Sequence, residues 1–390
     1  ADVEEVIARM GKPEDMETVR ALYGAELHFS SSRIDVLAGC RFAHFLQYGL
    51  RAQEREPAEF DSRFYGTFVH DVLEHVVQQT EHEGGFAAVP RSRVQELAQE
   101  RMEQNAQTLL ETFPDSGRTG YLLRRTFDEV TQVVDELYDE LSVSAFRPKF
   151  CELEFSARGA LPGVAFAGER CRGVVEGFVD RVDVWQSGGR PYVRVVDYKT
   201  GKKSFDYTNV LHGRGLQMLL YLFALVRQGG HLLHGEPLPA GVLYFPARIE
   251  RVSVRDRLAQ AEIEKERRKQ LRRSGVLLNS DPVLEAMEPC GGSPRFLPYT
   301  LDKEGRKTGD LASFAQLAQL ERFVFQTVAA LGDELADGRI DPDPCIRDAK
   351  DSACAFCPYS EICAGHEQPR WLKKITAEEF WQTLERREHG

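Results

Sequence analysis

Several things are scarce or missing in this sequence, and each absence narrows what it can be. There is no apolar run of about eighteen residues, the length that would cross a bilayer as a helix. The acidic opening ADVEEVIARM has neither the basic flank nor the apolar stretch of a secretory signal. Cysteine is sparse, eight in 390 residues, well below the density of a disulfide scaffold. Those cysteines are therefore read for metal-ligand spacing in a reducing cytosol. Internal repeats and low-complexity tracts are absent. The TGKKS stretch starting at Thr200 is no phosphate-cradling loop, because Val196 stands where GxxxxGK[ST] needs its first glycine. Positive charge is also in deficit: 50 basic against 61 acidic residues give a net charge of −11. That balance argues against strong unaided binding to a polyanion, while leaving room for a local basic channel. The remaining composition, 42% hydrophobic and 28% charged, is that of an ordinary globular protein with enough chain to bury a large core.

The most informative stretch is GFVDRVDVWQSGGRPYVRVVDYK, residues 177–199. Valines and aromatics alternate with polar residues on both sides of Ser187-Gly188-Gly189, which predicts a β-hairpin. Strand alternation puts Phe178, Asp180, Val182 and Val184 on one face, and Val193, Val195, Asp197 and Lys199 on one face of the next strand. Arg181 and Asp183 fall on the opposite face and are expected to be solvated or supporting. Charge in a half-buried apolar stripe is costly unless it is paired or binds an ion. Asp180, Asp197 and Lys199 thus fit either a structural ion pair at a sheet rim or a divalent cation site with an assisting lysine.

Around this hairpin the chain reads as helices and strands. Residues 1–27 predict a helical lead-in. FSSSRIDVLAGCRFAHFLQYGLR, residues 29–51, predicts a helix capped by Ser31 or Ser32, with Ile34, Leu37 and Ala38 inside and Cys40 at its end. YGTFVHDVLEHVVQQ predicts a second helix from Gly66-Thr67, buried through Val69, Leu73, Val76 and Val77, with His70 at the edge of that face. Residues 90–145 read as long amphipathic helices that either clamp nucleic acid or pack as an insertion. KFCELEFS, residues 149–156, alternates as a strand, its Glu152 and Glu154 on the polar face. Gln217 opens a helix that is apolar nearly all round, and Gln217 and Tyr221 form its only polar row. GVLYFPARI reads as a further central strand and EIEKERRKQLRR as a solvated basic helix. Residues 279–310 read as a long loop, followed by a helix over LASFAQLAQLERFVFQTVAALGDEL.

Near the C-terminus, Cys354, Cys357 and Cys363 form CxxCxxxxxC. Three close thiols cannot all pair as disulfides, but with a fourth donor they can hold one metal centre, zinc or iron–sulfur. On sequence alone that donor is Cys345 or the distant Cys40.

Taken in order, these motifs resemble the RecB-like branch of the PD-(D/E)XK nucleases, and within it the nuclease domain of the AddB type. The likeness rests on GTFVHDVLE, GFVDRVD, DYK, the QxxxY helix and the cysteines, over roughly residues 20–370. It implies an α/β (α+β) fold: a restriction-endonuclease-like core with a mixed central sheet, helical insertions and an Fe–S-clamped C-terminus. One nuclease domain over 1–390 is expected, with a helical insertion at 80–148, the catalytic sheet core at 149–250 and the cysteine segment at 340–370. The resemblance makes Asp180, Asp197 and Lys199 catalytic, puts Gln217 and Tyr221 beside them, and gives Mg²⁺ or Mn²⁺ to His70, Asp180 and Asp197. Glu152 is either a support of that site or ordinary strand polarity.

The phrase SSSRIDVLAGCRFAHFLQYGL matches the family except that Arg41 replaces the usual proline. Through it the resemblance selects Cys40 over Cys345 as the partner of Cys354, Cys357 and Cys363 around a [4Fe–4S] cluster. It further implies hydrolysis of DNA, preferentially single-stranded, by a protein working beside an AddA-like helicase-nuclease in the bacterial cytoplasm during break repair and recombination. A catalytically silent DNA-binding scaffold and a zinc-stabilised interaction protein are the alternative classes. No helicase-like portion is present, so a domain fragment or a stand-alone relative is expected.

Overall fold

The computed structural model describes residues 16–52, 62–112, 117–201, 204–249, 260–363 and 369–389. Its centre is a mixed six-stranded sheet. The strands are β1 (Arg147–Phe155), β2 (Gly177–Ser187), β3 (Arg190–Lys199), β4 (Leu238–Pro246), β5 (Ser274–Leu278) and β6 (Leu311–Ala312). In space they run β6-β5-β4-β3-β2-β1, so each strand lies beside its sequence neighbour. The β1–β2, β2–β3 and β4–β5 pairs are antiparallel, whereas β3–β4 and β5–β6 are parallel. The hairpin forms where the sequence predicts it. Ser187 pairs with Arg190, and the two intervening glycines have φ of +57° and +76°, a turn conformation that side-chain-bearing residues adopt only at a cost.

Helices flank the sheet. α1 (Ser31–Gly39) buries Ile34, Leu37 and Ala38 and is capped by Ser30, whose side chain accepts from the Arg33 N–H. The cap is one residue earlier than the sequence suggests, because Ser30 is the last extended residue. α2 (Ser62–His82) begins before the expected Gly66-Thr67 start and buries Val69, Leu73, Val76 and Val77. α3 (Arg91–Thr112) and α4 (Gly117–Leu141) follow as the long amphipathic pair. The parallel β3–β4 pair needs a crossover, and this contains α5 (Gln217–Gln228). Met218 to Leu225 are all buried as α5 packs on β3 and β4, which explains its lack of a solvated face. α6 (Phe314–Ala336) packs against α5 and α1, its first turn held by a Ser313–Gln316 capping box. Of the helical lead-in expected over 1–27, residues 16–27 lie within the described residues: Met16–Tyr23 is helical, and Leu27 already begins a short strand, Leu27–Phe29.

Two expectations are corrected, and the stretch after β3 is also more structured than a bare loop. The loop expected over 279–310 contains the helix Asp281–Met287, started by a proline in its first turn, and a hairpin of Tyr299–Leu301 with Lys307–Gly309. The loop after β3 contains a short helix, Tyr207–Leu211, capped by Asp206. Arg181 and Asp183 are not solvated but fully buried. Strand alternation does turn them away from Asp180, but the far face of the sheet is covered by α4, and charge there survives only when it is matched. Asp183 accepts from Arg181 (2.8 Å) and Arg194 (2.8 Å), and Glu140 of α4 accepts from Arg194 (2.9 Å) and Arg273 (2.9 Å). Such a buried chain of charges costs about 3–5 kcal/mol when one member is removed, since the others are left unpaired.

Candidate active site

β2 and β3 pair from the turn up to Arg181 opposite Val196 and then part, as β2 continues along β1 to Gly177. Parting frees the backbone groups of Tyr198, and two side chains take them up. The Tyr198 N–H donates to Asp180 Oδ2 at 2.6 Å, and His70 Nε2 on α2 donates to the Tyr198 carbonyl at 2.8 Å. An imidazole nitrogen facing a carbonyl carries the proton, so in the neutral ring the Nδ1 lone pair points the other way. Nδ1 lies 3.5 Å from Asp180 Oδ2. This fixed tautomer, with one nitrogen tied to backbone and the other offered outward, is the usual arrangement of a metal-binding histidine.

Glu152 completes the group from β1. It lies across from Asp180 in the β1–β2 pair and has φ +48°, an uncommon conformation for a side-chain-bearing strand residue. Ligand atoms of His70, Glu152 and Asp180 all lie within 4.8 Å of one another. Burial, then the nearby Asp180 and Glu74 charges, pushes the Glu152 carboxyl up to about 7. Burial and the Asp197 charge likewise raise Asp180 to about 7. Two hard oxygen donors whose charges repel, beside one imidazole, are a donor set that fits a small divalent cation.

Asp197 is buried on β3 beside this group and is ion-paired with Lys199. The Lys199 ammonium also lies 5.6 Å from the centre of the Tyr244 ring on β4. Asp180, Asp197 and Lys199 therefore do come together, but the tightest ligand triad contains Glu152 in place of Asp197. Glu152 stays ambiguous in sequence because its position opposite Asp180 depends on the β1–β2 register. Phe178, assigned to the same stripe, is half exposed at the outer end of β2.

Gln217 is half-buried at the start of α5. Tyr221 is buried, stacks on Phe155 at 4.9 Å and donates its hydroxyl to the Glu176 carbonyl at 3.3 Å. That hydroxyl supports the backbone just before β2, and there Gly177 lets it approach. A Cβ on Gly177 would lie 2.2 Å from the Tyr221 oxygen.

The structure also gathers Cys40 with the C-terminal cysteines. Cys40 ends α1 in a small apolar cluster with Phe42, Phe45, Ile340 and Tyr359, and Cys357 and Cys363 pack against it. Burial pushes the Cys40 thiol up to about 11, and the field of Cys354 adds to the shift. Cys354 is raised by burial and by the neighbouring Cys357 and Cys363. None of the eight cysteines is in a disulfide. Cys345 is buried apart and donates to the Ala38 carbonyl at 3.3 Å. Among the described residues no three of these sulfurs come within 4.8 Å of one another. Thiolates about 2.3 Å from one tetrahedral zinc ion would be about 3.8 Å apart.

Comparison with known proteins agrees with the geometry. The family model described as the PD-(D/E)XK nuclease superfamily matches residues 28–364. The chain is 33% identical over 358 residues to the B-type ATP-dependent helicase/deoxyribonuclease subunit of Moorella thermoacetica, covering 90% of this chain and 31% of that protein. Proteins of the same name from a Thermoanaerobacter species and from Oceanobacillus iheyensis are 29% and 28% identical, over 94% and 90% of this chain and 33% and 31% of theirs. The chain thus spans about a third of the length of these relatives.

Proposed function

The chain belongs to the PD-(D/E)XK nuclease superfamily, and from that premise we propose that it is the DNA-cleaving domain of an AddAB-type helicase-nuclease. In this reading it hydrolyses phosphodiester bonds of single-stranded DNA with Mg²⁺ or Mn²⁺. The observation that carries the proposal is the convergence of His70, Glu152 and Asp180 where β2 leaves β3, with the Asp197–Lys199 pair alongside. Those three residues would hold the cation, with Asp197 as a further carboxylate on its β3 side. A bound Mg²⁺ supplies charge neutralisation at the scissile phosphate. Lys199, held by Asp197, orients the attacking water and places positive charge where the phosphate becomes more anionic. Gln217 and Tyr221 support the site, Tyr221 through the backbone leading into β2.

A cleft of 1440 Å³ supports the choice of a single strand. Its lining includes Arg33, Arg51 and Arg214 with Phe205 and Tyr244, beside Asp35 and Asp206, and it meets the candidate site only through Tyr244, whose ring faces Lys199. Basic and aromatic groups along one groove suit an unpaired strand, whose phosphates and base faces are both exposed. With a net charge of −11, most of the remaining surface repels duplex. An AddA-like helicase partner would deliver the strand and raise its effective concentration.

We read 1–390 as one nuclease domain, with 80–148 as a helical insertion, 149–250 as the catalytic core and 340–370 as the segment joined by Cys40, Cys354, Cys357 and Cys363 around a [4Fe–4S] cluster. No described helix is long and apolar enough to cross a membrane, and the bacterial cytoplasm is the compartment that suits this role. The test is cleavage of a labelled single strand and of the matching duplex in Mg²⁺ at physiological salt. Faster loss of the single strand, abolished by Asp180→Ala in a protein that still unfolds cooperatively, is the expected result. Equal cleavage by Asp180→Ala would overturn the assignment.

A further inference from the structure

Tyr198 lies between Asp197 and Lys199, yet its side chain points into the opposite side of the sheet. There its hydroxyl accepts from Arg181 Nη1 at 2.9 Å, and the Arg181 guanidinium lies 5.5 Å from the ring centre. The other two nitrogens of Arg181 are held by both carboxylate oxygens of Asp183, at 2.8 and 3.1 Å. A guanidinium gripped in this bidentate way has one orientation, so its third edge presents a fixed donor to Tyr198. Asp183 is in turn fixed by Arg194, and Arg194 by Glu140, which Arg273 also holds. All five charged residues are buried. The series therefore anchors the Tyr198 hydroxyl to α4 and to the residue preceding β5.

On the other side, the Tyr198 backbone orients the proposed cation ligands. Its N–H holds Asp180 and its carbonyl holds His70. The His70 ring also meets the Tyr198 ring edge-on, 5.8 Å between centres. Beyond Arg181 the β2–β3 ladder has ended, so no strand partner fixes this peptide from the β2 side. β4 still pairs with this stretch from the other side, Tyr198 lying across from Phe245, and on the β2 side the side-chain anchor takes over. Rotation of Tyr198 would turn both neighbouring peptide planes and move Asp180, His70, Asp197 and Lys199 together.

We propose that Tyr198 is a positioning residue of the cation site, and that the buried Arg181–Asp183–Arg194–Glu140–Arg273 series sets ligand geometry by holding its hydroxyl. The proposal rests on the reading of His70, Glu152 and Asp180 as cation ligands. The helical layer carrying Glu140 thereby becomes part of the catalytic architecture, coupled to the metal through side chains that never touch substrate. Tyr198→Phe removes the anchor and no ligand atom. Groups that orient metal ligands typically change metal affinity by about 10- to 100-fold when removed.

The experiment measures Mn²⁺ binding to the intact chain by calorimetry without DNA, and then kcat and KM on a single-stranded oligonucleotide. Tyr198→Phe should weaken Mn²⁺ at least about tenfold and lower kcat, with KM for DNA unchanged. Tyr192→Phe, a half-buried tyrosine on the same strand that packs on Trp185, should alter neither. Asp183→Asn, which loosens the grip on Arg181 while keeping its shape, should shift Mn²⁺ affinity in the same direction and decides the matter if Tyr198→Phe does not fold. A purely structural role would lower the melting temperature and leave Mn²⁺ affinity within about twofold of the parent, which overturns the proposal. A parent that binds no Mn²⁺ overturns the cation site itself and this inference with it.

Discussion

The contact between Gly177 and Tyr221 allows the packing around the start of β2 to be tested quantitatively. Gly177 has φ +154°, and an added Cβ would lie 2.2 Å from the Tyr221 hydroxyl oxygen but 3.4 Å from the ring carbon that bears it. Gly177→Ala therefore meets two penalties: an overpacking cost of about 1–3 kcal/mol and a backbone cost of about 1–3 kcal/mol. Tyr221→Phe alone loses one hydrogen bond to the Glu176 carbonyl, worth about 1 kcal/mol. In the double variant the offending oxygen is gone, and 3.4 Å is close to ordinary contact. Its cost should fall short of the sum of the singles by about 1–3 kcal/mol, a coupling within the range seen for touching residues. Urea unfolding of the four proteins, with a common slope, reads this directly. Additivity within about 0.5 kcal/mol would mean that the close approach does not govern this corner. Tyr221→Phe should also retain cleavage within a few-fold, because its hydroxyl points to backbone and not to the cation ligands.

Other substitutions test separate parts of the molecule. Lys199→Met should leave Mn²⁺ bound while slowing cleavage by about 10²-fold or more; an unchanged rate would remove Lys199 from the chemistry. Cys40→Ser should abolish the brown iron–sulfur absorption and lower the melting temperature by several degrees, while Cys345→Ser does not affect the colour. Colourless parent protein with stoichiometric zinc would disprove iron and keep the clamp. His44 is fully buried, and burial followed by the Arg33 charge depresses its pKa from 6.5 to about 3. Because the unfolded chain takes up this proton and the folded one does not, stability falls as pH drops below about 6.5, by about 2 kcal/mol at pH 5. Urea midpoints at pH 7 and pH 5 should show that loss in the parent and much less of it in His44→Gln. Equal losses would place the acid sensitivity elsewhere.

Local chemistry in the sequence pointed to several residues that the fold brings together in the candidate site. Two glycines between alternating apolar runs predict a two-residue hairpin, because only glycine tolerates positive φ at both turn positions without cost. Alternation then puts Asp180, Asp197 and Lys199 on stripes that would otherwise be apolar, and charge there needs a reason. The apolar circumference of α5 likewise shows in sequence that the helix lies buried, as it does across β3 and β4. The distant phrase around Cys40 also anticipates a spatial neighbourhood, since Cys357 and Cys363 pack against the apolar cluster that holds Cys40.

What the sequence could not supply was register and the far side of the sheet. Glu152 becomes a ligand candidate only because β1 pairs with β2 so that it faces Asp180, and nothing local in KFCELEFS fixes that pairing. Arg181 and Asp183 look like solvent-facing polarity until α4 covers their side of the sheet, at which point burial forces them into a matched ionic series. The parting of β2 from β3 is also tertiary: it leaves the Tyr198 peptide unpaired on its β2 side while β4 still holds the other, and His70, 128 residues earlier in the chain, supplies a bond to its carbonyl. Alternation along a strand tells which residues share a face. Only packing decides whether that face meets water, another charge or a metal.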